Sequence, residues 1–497
     1  MRRELTSRRA FLGGALKGAG GLLLLGGAGY AGYRWPHPST QQSMPSGRGT
    51  VYSFVSRPDL TPPMVTVTTP PGPGGAGRVF LAPKGYTTGG PGQQGLMIVD
   101  EDGKLVWFQP SRDIPMDLKV QAYQGWPHLT WWAGSVTNGV GTGAYVIADT
   151  SYRTVATVRA GNGLQADLHE FVLTPRSTAL ISAYAPTRAD LSALGGKSDV
   201  QVYDGVVQEI DVASGGALFE WRSLRHVGLD ESYVAPTGDA PFDYFHLNSI
   251  AVAPDGDLVI SARNTCAIYK ISRRTGEVVW RLGGKRSDFE MGDGAHFYWQ
   301  HDARPHGSDR ISLFDNGASP AREPQSRGLV LALDRSARKA TVARQLTHPA
   351  GLLAPNQGSL QLLPDGQAFV GWGAQPYFSR FDQSGELVFD GRFPADDQSY
   401  RAFQHEWDGQ PADAPAVAVG PNAVGGVTAY VSWNGATRVA RWRVLSGDDP
   451  AQFAAVATVP RTGFETAISV NSTGLYLVVA AMDRSGAELG RSQPVRI

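Results

Sequence analysis

The stretch Gly276-Glu277-Val278-Val279-Trp280 decides the fold, because it is one copy of a short strand that the chain repeats. Each copy is an apolar run ending in an aromatic residue, and the others are Gly103-Lys104-Leu105-Val106-Trp107, Ala217-Leu218-Phe219-Glu220-Trp221 and Gly385-Glu386-Leu387-Val388-Phe389. Tight turns recur at Pro254-Asp255-Gly256 and at Pro364-Asp365-Gly366. No long apolar segment has the 3.6-residue period of a helix. The pattern therefore predicts an all-β protein built from repeated small sheets.

The repeat length favours a β-propeller. The two tight turns are two repeats apart, which gives a unit of about 55 residues, a typical blade size. This unit fits roughly six times into the part of the chain that carries the repeat, within the usual range of blade numbers. We therefore expect a six-bladed β-propeller over residues 78–410.

The remaining parts of the chain differ from the repeat. Alternating strands with Trp433 and Trp442 predict an immunoglobulin- or fibronectin-like β-sandwich over residues 411–497. Residues 36–77 are expected to hold a linker and an N-terminal strand region.

The N-terminus carries a targeting pattern. Ser7-Arg8-Arg9-Ala10-Phe11-Leu12 is a twin-arginine motif, and a glycine-rich, weakly apolar run follows it. Residues 1–35 are therefore expected to be a twin-arginine signal segment, read by the Tat export machinery. An uncleaved N-terminal membrane anchor is the alternative. In both cases we expect an extracytoplasmic location: secreted, periplasmic or on the cell surface.

Bulk composition excludes several classes of function. Lysine plus arginine and aspartate plus glutamate are both 45, so the net charge is zero and nothing indicates a nucleic-acid partner. The single cysteine, Cys266, excludes a disulfide within the chain and a multi-cysteine metal site. We expect neither a metal nor a cofactor.

The ten histidines are few enough for their positions to be informative. His246 and His301 are separated by one repeat length, and one further repeat length leads to Asn356. His169 begins a similar strand, although its spacing to His246 is not a simple period. Polar residues that recur at blade length are expected to face the central axis, where propellers form their binding sites.

The hairpin around Asp255-Gly256 is expected to bring further polar groups together. Folding it about the turn pairs residues whose numbers add up to about 511, so Asn248 faces Arg263 and His246 faces residue 265. His246 and Asn248 are two residues apart and are predicted to share one face of the strand. One hairpin would thus present histidine, asparagine and arginine together.

Several runs resemble the bacterial arylsulfotransferases, and most closely the branch found in actinobacteria and fungi. The runs that carry the resemblance are Tyr244-Phe245-His246-Leu247-Asn248-Ser249, Ile260-Ser261-Ala262-Arg263-Asn264, Trp280-Arg281-Leu282-Gly283-Gly284-Lys285, Trp299-Gln300-His301-Asp302-Ala303 and Ile311-Ser312-Leu313-Phe314-Asp315-Asn316-Gly317. The likeness covers roughly residues 50–410. The best-known enterobacterial members carry a disulfide, which Cys266 alone cannot form within one chain.

The resemblance implies a six-bladed propeller that transfers a sulfuryl group from a phenolic sulfate ester to a phenolic acceptor without a nucleotide donor. It assigns the nucleophile, which becomes a sulfohistidine, to His301. It assigns supporting roles to His169, His246, Asn248 and Arg263.

The chemistry of these residue types fits such a reaction. A neutral imidazole is a competent nucleophile near pH 7. Arg263 and Asn248 would donate to the sulfuryl oxygens, and His246 or His169 would handle the proton of the phenol. Asn356 is a candidate for substrate binding by its position in the repeat.

Two other functions remain open from the sequence. The motif Thr275-Gly276-Glu277-Val278-Val279-Trp280 also occurs in quinoprotein dehydrogenases, but those usually have eight blades and calcium-binding carboxylates. A non-catalytic ligand-binding or adhesion propeller is the stronger alternative.

Overall fold

The computed structural model describes residues 50–70, 77–85, 90–236, 241–422, 425–471 and 474–497. The predicted signal segment, residues 1–35, lies outside these ranges. Within them, the regular structure consists of 36 strands and three short 3-10 helices, at Ser192–Leu194, Ser223–Arg225 and Leu229–Glu231. The predicted all-β class is therefore confirmed. None of the helices in the described ranges has the length and apolar character that a membrane crossing needs.

Short strands follow one another along the whole described chain. The first thirteen are β1 (Thr66–Thr69), β2 (Arg78–Leu81), β3 (Lys84–Gly85), β4 (Gly95–Val99), β5 (Leu105–Pro110), β6 (Ile114–Tyr123), β7 (Trp126–Thr137), β8 (Val140–Ala148), β9 (Thr154–Val158), β10 (Ala166–Leu173), β11 (Thr178–Ala189), β12 (Val200–Asp211) and β13 (Ala217–Arg222). The next fifteen are β14 (Leu247–Val252), β15 (Leu258–Ala262), β16 (Ala267–Ile271), β17 (Val278–Gly283), β18 (Glu290–Met291), β19 (His301–His306), β20 (Arg310–Asp315), β21 (Arg327–Asp334), β22 (Lys339–Thr347), β23 (Ser359–Leu362), β24 (Ala368–Gly371), β25 (Tyr377–Phe381), β26 (Leu387–Arg392), β27 (Asp397–Gln398) and β28 (Phe403–His405). The last eight are β29 (Ala416–Pro421), β30 (Val427–Ser432), β31 (Arg441–Asp449), β32 (Gln452–Pro460), β33 (Glu465–Val470), β34 (Tyr476–Met482), β35 (Glu488–Arg491) and β36 (Val495–Arg496).

Strands β6 to β26 form antiparallel meanders of four strands each. They are β6–β9, β10–β13, β14–β17, β19–β22 and β23–β26, and the first two are joined into one sheet by a pairing of Ala166 with Gly143. Strand β1 adds a fifth strand to the last meander by pairing with β26, and β18 extends the one before it. The short strands β3 and β27 pair with each other.

A further sheet joins the beginning and the end of the predicted propeller region, residues 78–410. Its order is β28-β2-β4-β5, so β28, from the end of the predicted propeller region, pairs with β2 from its beginning. Phe80 lies opposite Phe403 in this pairing. The sheet is thus complete only when strands from opposite ends of that region have met.

Apolar clusters connect each of these sheets to the next. Val207 and Trp221 pack with Ile250 and Ile260 between the β10–β13 and β14–β17 meanders. Equivalent clusters follow between later sheets, and one of them packs Phe369 and other residues of the last meander against residues of β2, β4 and β5. Because a four-stranded sheet has two apolar faces here, each face needs a neighbouring sheet to cover it.

The C-terminal strands form two antiparallel sheets, β29-β30-β33 and β32-β31-β34-β35 with β36 beside β34. Trp433, Trp442 and Leu477 are among the buried residues of the core between them. Residues near the start of the described chain contact this part: the ring centroids of Phe54 and Phe464 are 4.3 Å apart, and Glu465 accepts hydrogen bonds from Ser56.

The predicted register of the β14–β15 hairpin is wrong. Ser249 pairs with Ser261 and Leu247 with Ala262, which leaves Asn248 in a β-bulge rather than opposite Arg263. The Arg263 amide instead donates to the carbonyl of His246 at 2.9 Å. The pairs between the turn and Ser249 add up to 510 rather than 511, and the bulge, which adds one residue to one strand, lowers the sum to 509 at Leu247.

A charge-balanced ion cluster lies buried among strands of several sheets. Asp117 and Lys119 come from β6, Glu170 from β10, Asp302 and Arg304 from β19, and Arg401 precedes β28. The Arg401 guanidinium is 3.1 Å from Asp117, 3.2 Å from Glu170 and 3.5 Å from Asp302. Lys119 lies 2.9 Å from Glu170, and Arg304 lies 2.5 Å from it. Three anions and three cations thus compensate one another, and of the six only Arg304 is partly exposed.

Replacing Arg401 with Met is expected to destabilise the protein by about 3–5 kcal/mol, because three buried carboxylates would lose a shared cation. Urea unfolding monitored by tryptophan fluorescence measures this. Arg438→Met is the matched control, since the Arg438–Asp408 pair is exposed and should contribute little. Equal stability of the Arg401 variant and the control would contradict a structural role for the cluster.

Candidate active site

The predicted nucleophile, His301, is the first residue of β19 and is 1% exposed. Its Nδ1 lies 2.7 Å from Asn316 Oδ1. The Asn316 amide nitrogen donates to the carbonyls of Ala354, at 3.0 Å, and Gln357, at 2.9 Å. These two acceptors require the amide oxygen to face the ring, so Nδ1 carries the proton. Nε2 carries the free lone pair of the ring and accepts a long hydrogen bond of 3.3 Å from the Gln357 backbone amide, which an electrophile at Nε2 has to displace.

The imidazole of His301 is held in its neutral form. Burial is the main cause that keeps its pKa well below the usual 6.5, and the positive charge of Arg263 acts in the same direction. The hydrogen bond to Asn316 opposes this shift without reversing it. His301 therefore has the protonation state that nucleophilic attack requires.

His246 and His169 lie edge to face, with ring centroids 4.7 Å apart. His246 directly precedes β14, and its Nδ1 is hydrogen-bonded to Asp243. Burial lowers the pKa of His246, although the charge of Asp243 acts against this. His246 also has a φ of 57°, a left-handed conformation that residues other than glycine rarely adopt. His246 therefore has a strained backbone at the candidate site.

His169 lies inside β10 and pairs with a second carboxylate. Its Nδ1 is 2.5 Å from Asp167 Oδ2, and Asp167 also accepts from the Gly141 amide at 2.7 Å. Burial alone would raise the pKa of Asp167, but the charge and hydrogen bond of His169 bring it below its usual value. Both supporting histidines are thus oriented by a carboxylate on Nδ1, which directs Nε2 away from it.

Arg263 follows β15 and is 3% exposed. It donates to Asn264 Oδ1 at 2.9 Å and to the Pro355 carbonyl at 3.2 Å, and its guanidinium lies 5.1 Å from the centre of the Trp299 ring. Within the described chain its buried Nε has no hydrogen-bond partner. Arg263 is therefore anchored but still has a donor available for a ligand.

Asn248 takes a different place from the predicted one, and Asn356 lies next to a residue that contacts His301. The Asn248 amide nitrogen donates to the Gln300 carbonyl at 2.6 Å, next to His301, while its buried Oδ1 has no partner among the described residues. Asn356 Oδ1 accepts from the side chain of Gln357. It is Gln357, one residue beyond the predicted position, that contacts His301.

The structure thus brings four of the six predicted residues to one place. The rings of His169 and His246 are 4.7 Å apart, and Arg263 donates to the Pro355 carbonyl two residues before Gln357, whose amide donates to His301. The charges of these three residues also act on the pKa of His301. Asn248 contacts the cluster indirectly, by donating to the backbone carbonyl of Gln300 next to His301. Asn356 contacts it through the side chain of Gln357. Asn316, Asp167 and Asp243 were missed. Asp167 and Asp243 precede their histidines by two and three residues, a short spacing that could have indicated them.

Cys266 is buried near these residues, and burial raises the pKa of its thiol to about 12, so it stays protonated. No group of three or more His, Cys, Asp or Glu side chains in the described ranges is placed to hold a metal ion.

A cleft of about 710 Å³ lies elsewhere, between the β4–β5 turn and the C-terminal sheets, and is lined by Asp100, Lys104, Thr437 and Arg461 among others. It contains none of the residues of the histidine cluster. The cluster is recognised by its chemistry, because a buried neutral imidazole and an available guanidinium meet there and not in the cleft.

Comparison with curated proteins finds no match. Among solved structures, a Bacteroides caccae protein of unknown function is similar with 10% identity and a TM-score of 0.41, covering 66% of this chain and 99% of its own. A virginiamycin B lyase from Staphylococcus aureus shares 10% identity with a TM-score of 0.30, covering 77% and 94%. A protein from Lactobacillus plantarum shares 13% identity with a TM-score of 0.35, covering 80% and 99%.

The sequence model of the arylsulfotransferase (ASST) family matches residues 119–394. This match spans more than half of the 497 residues and includes His169, His246, Arg263 and His301. The chain belongs to the arylsulfotransferase family.

Proposed function

We propose that this protein is an exported arylsulfotransferase that moves a sulfuryl group from a phenolic sulfate ester to a phenolic acceptor through a sulfohistidine at His301. Family membership supports arylsulfotransferase activity in general. The observation that carries the mechanism is the oriented, neutral imidazole of His301 beside the available Nε of Arg263. A protein nucleophile divides the transfer into two steps, so that one site can serve the donor and the acceptor in turn.

The proposal includes a six-bladed propeller over residues 78–410 and an immunoglobulin- or fibronectin-like sandwich over residues 411–497. The five meanders together with the β28-β2-β4-β5 sheet supply six sheets in the described chain, and apolar clusters connect successive ones. The extracytoplasmic location rests on the twin-arginine motif at Arg8-Arg9. Residues 1–35 act as its signal segment.

In the first half-reaction His301 Nε2 attacks the sulfur of the aryl sulfate. The nitrogen–sulfur bond forms as the bond from sulfur to the phenolic oxygen breaks, and the electron pair leaves with the phenolate. Sulfation of Nε2 makes the ring cationic, and Asn316 Oδ1 stabilises that charge by accepting the Nδ1 proton in a hydrogen bond. The departing phenolic oxygen takes a proton from the histidine pair, and His169 is the preferred donor because burial lowers the pKa of His246.

In the second half-reaction the acceptor phenol takes the place of the first product. Its hydroxyl proton passes to Nε2 of His246 or His169, since Asp243 and Asp167 occupy their Nδ1 atoms. The phenolic oxygen then attacks sulfur, and His301 leaves as a neutral imidazole. Arg263 donates to the sulfuryl oxygens in both steps, where negative charge develops in a site with little water.

His301→Ala is expected to abolish covalent labelling. Incubation with an aryl sulfate should add one sulfuryl group of about 80 Da to the wild-type protein and release phenol, because His301 is the nucleophile. Intact-mass spectrometry detects the adduct. His348→Ala serves as control, because His348 is also buried and bound to a carboxylate, Asp390, but lies outside the cluster. An adduct that persists without His301 assigns the nucleophile to another residue, whereas no adduct and no released phenol from the wild-type protein favours a non-catalytic binding function.

Adduct formation should retain its rate when the pH is lowered from 8 to 6.5. An ordinary imidazole is half protonated at its usual pKa of 6.5, whereas the pKa of His301 lies well below that value, so the neutral form persists. Rapid-quench mass analysis across this range tests it. A rate that halves near pH 6.5 would show that His301 is not shielded by burial.

Replacing Asn316 with Asp should shift the pH profile of adduct formation to higher pH, because a carboxylate at Nδ1 favours the imidazolium. Asn316→Leu should lower the rate about tenfold to a hundredfold, through loss of the ring orientation. The pH dependence of single-turnover labelling separates the two effects. If Asn316→Asp lowers the rate equally at every pH, Asn316 is a packing residue and does not tune His301.

A further inference from the structure

A buried lysine lies beside the histidine cluster, on a strand outside the repeated meanders. Lys84 forms β3 with Gly85 and is only 7% exposed. Its ammonium donates to Gln357 Oε1 at 3.2 Å. The backbone amide of the same glutamine contacts His301 Nε2 at 3.3 Å. One residue therefore connects the lysine to the reacting nitrogen.

Lys84 has no carboxylate partner in the described part of the chain, unlike Lys119 and Lys270, which each contact two. The β3–β27 pairing explains this. Lys84 lies opposite Gln398 and Gly85 opposite Asp397, so the alternation of side chains directs Asp397 to the other face. The following residues 86–89 include no acidic residue either.

The glutamines hold the ammonium in place but do not neutralise it. The Gln357 amide nitrogen donates to Asn356 Oδ1 and Gln398 Oε1, both at 2.8 Å, which turns Gln357 Oε1 toward Lys84. An ammonium has three donors, and a neutral amide satisfies one of them here. Burial lowers the pKa of Lys84 to about 8, which reflects the cost of an uncompensated charge. An anion bound at this point would accept from the remaining donors of the ammonium and neutralise its charge.

We propose that Lys84 forms an anion subsite that binds the sulfuryl oxygens of the aryl sulfate donor next to His301. The inference rests on the proposed function and adds a second cation to Arg263. The subsite takes singly or doubly charged oxyanions of sulfate size and does not recognise the neutral phenol. It orients the sulfuryl group both on the donor ester and on the sulfohistidine, because the group is anionic in each of them.

Inorganic sulfate is the probe, and its saturable stabilisation of the full-length protein in thermal unfolding gives an apparent dissociation constant. Lys84→Met should weaken this constant by roughly tenfold or more, while Lys84→Arg, which keeps the charge, should stay within about threefold. Without sulfate, Lys84→Met should unfold at the wild-type temperature or above it. Lys270→Met is the matched control and should unfold at a lower temperature, because it leaves Asp255 and Asp257 without their cation.

Unchanged sulfate affinity in Lys84→Met overturns the subsite. A loss of stability in the sulfate-free Lys84→Met protein as large as in Lys270→Met also overturns it, since Lys84 would then already be compensated. The same titration in the His301→Ala background separates this inference from the mechanism. If sulfate binding in that background depends on Lys84 but the wild type forms no covalent adduct, the subsite is supported and the sulfohistidine is refuted. If the wild type forms the adduct but sulfate binding does not depend on Lys84, the sulfohistidine is supported and the subsite is refuted.

Discussion

The buried ion cluster around Arg401 constrains the positions of the reacting groups. Glu170 directly follows His169, and Asp302 directly follows His301. Arg401 also donates to the Asn248 carbonyl at 2.9 Å. A shift of any of these strands by one residue would turn a charge away from its partners, and an unpaired buried charge is strongly unfavourable. The cluster therefore sets the strand register at three positions of the candidate site.

Charge is distributed unequally around the histidines. The ion cluster is balanced, whereas Arg263 and Lys84 have no carboxylate at ion-pair distance in the described ranges. The histidine rings are oriented by Asp167, Asp243 and Asn316, so the acidic groups near the site are already engaged. Arg263 and Lys84 are therefore the charged groups left to meet an anionic substrate, and the charge of Arg263 helps to keep His301 unprotonated.

The sequence predicts the all-β class well, because strand and turn patterns repeat on a local scale. It also indicates the residues His169, His246, Arg263 and His301, which the structure brings together. It fails where single residues matter: the hairpin pairs one residue away from the predicted register, and the bulge at Asn248 adds a second offset. Asn316 and Lys84 could not be found this way, since their roles depend on contacts between distant strands that no periodicity records.

The pairing of β28 with β2 has a consequence for the growing chain. Every sheet from β6 to β26 consists mainly of neighbours in sequence, but β2 exposes unpaired backbone groups on one edge until Phe403–His405 have been synthesised. Strand β1 likewise has no pairing partner until β26 has been synthesised. A nascent or truncated chain that ends before residue 403 is therefore open at its first sheet and offers that edge to other chains, so protection against aggregation is acquired only near the end of synthesis.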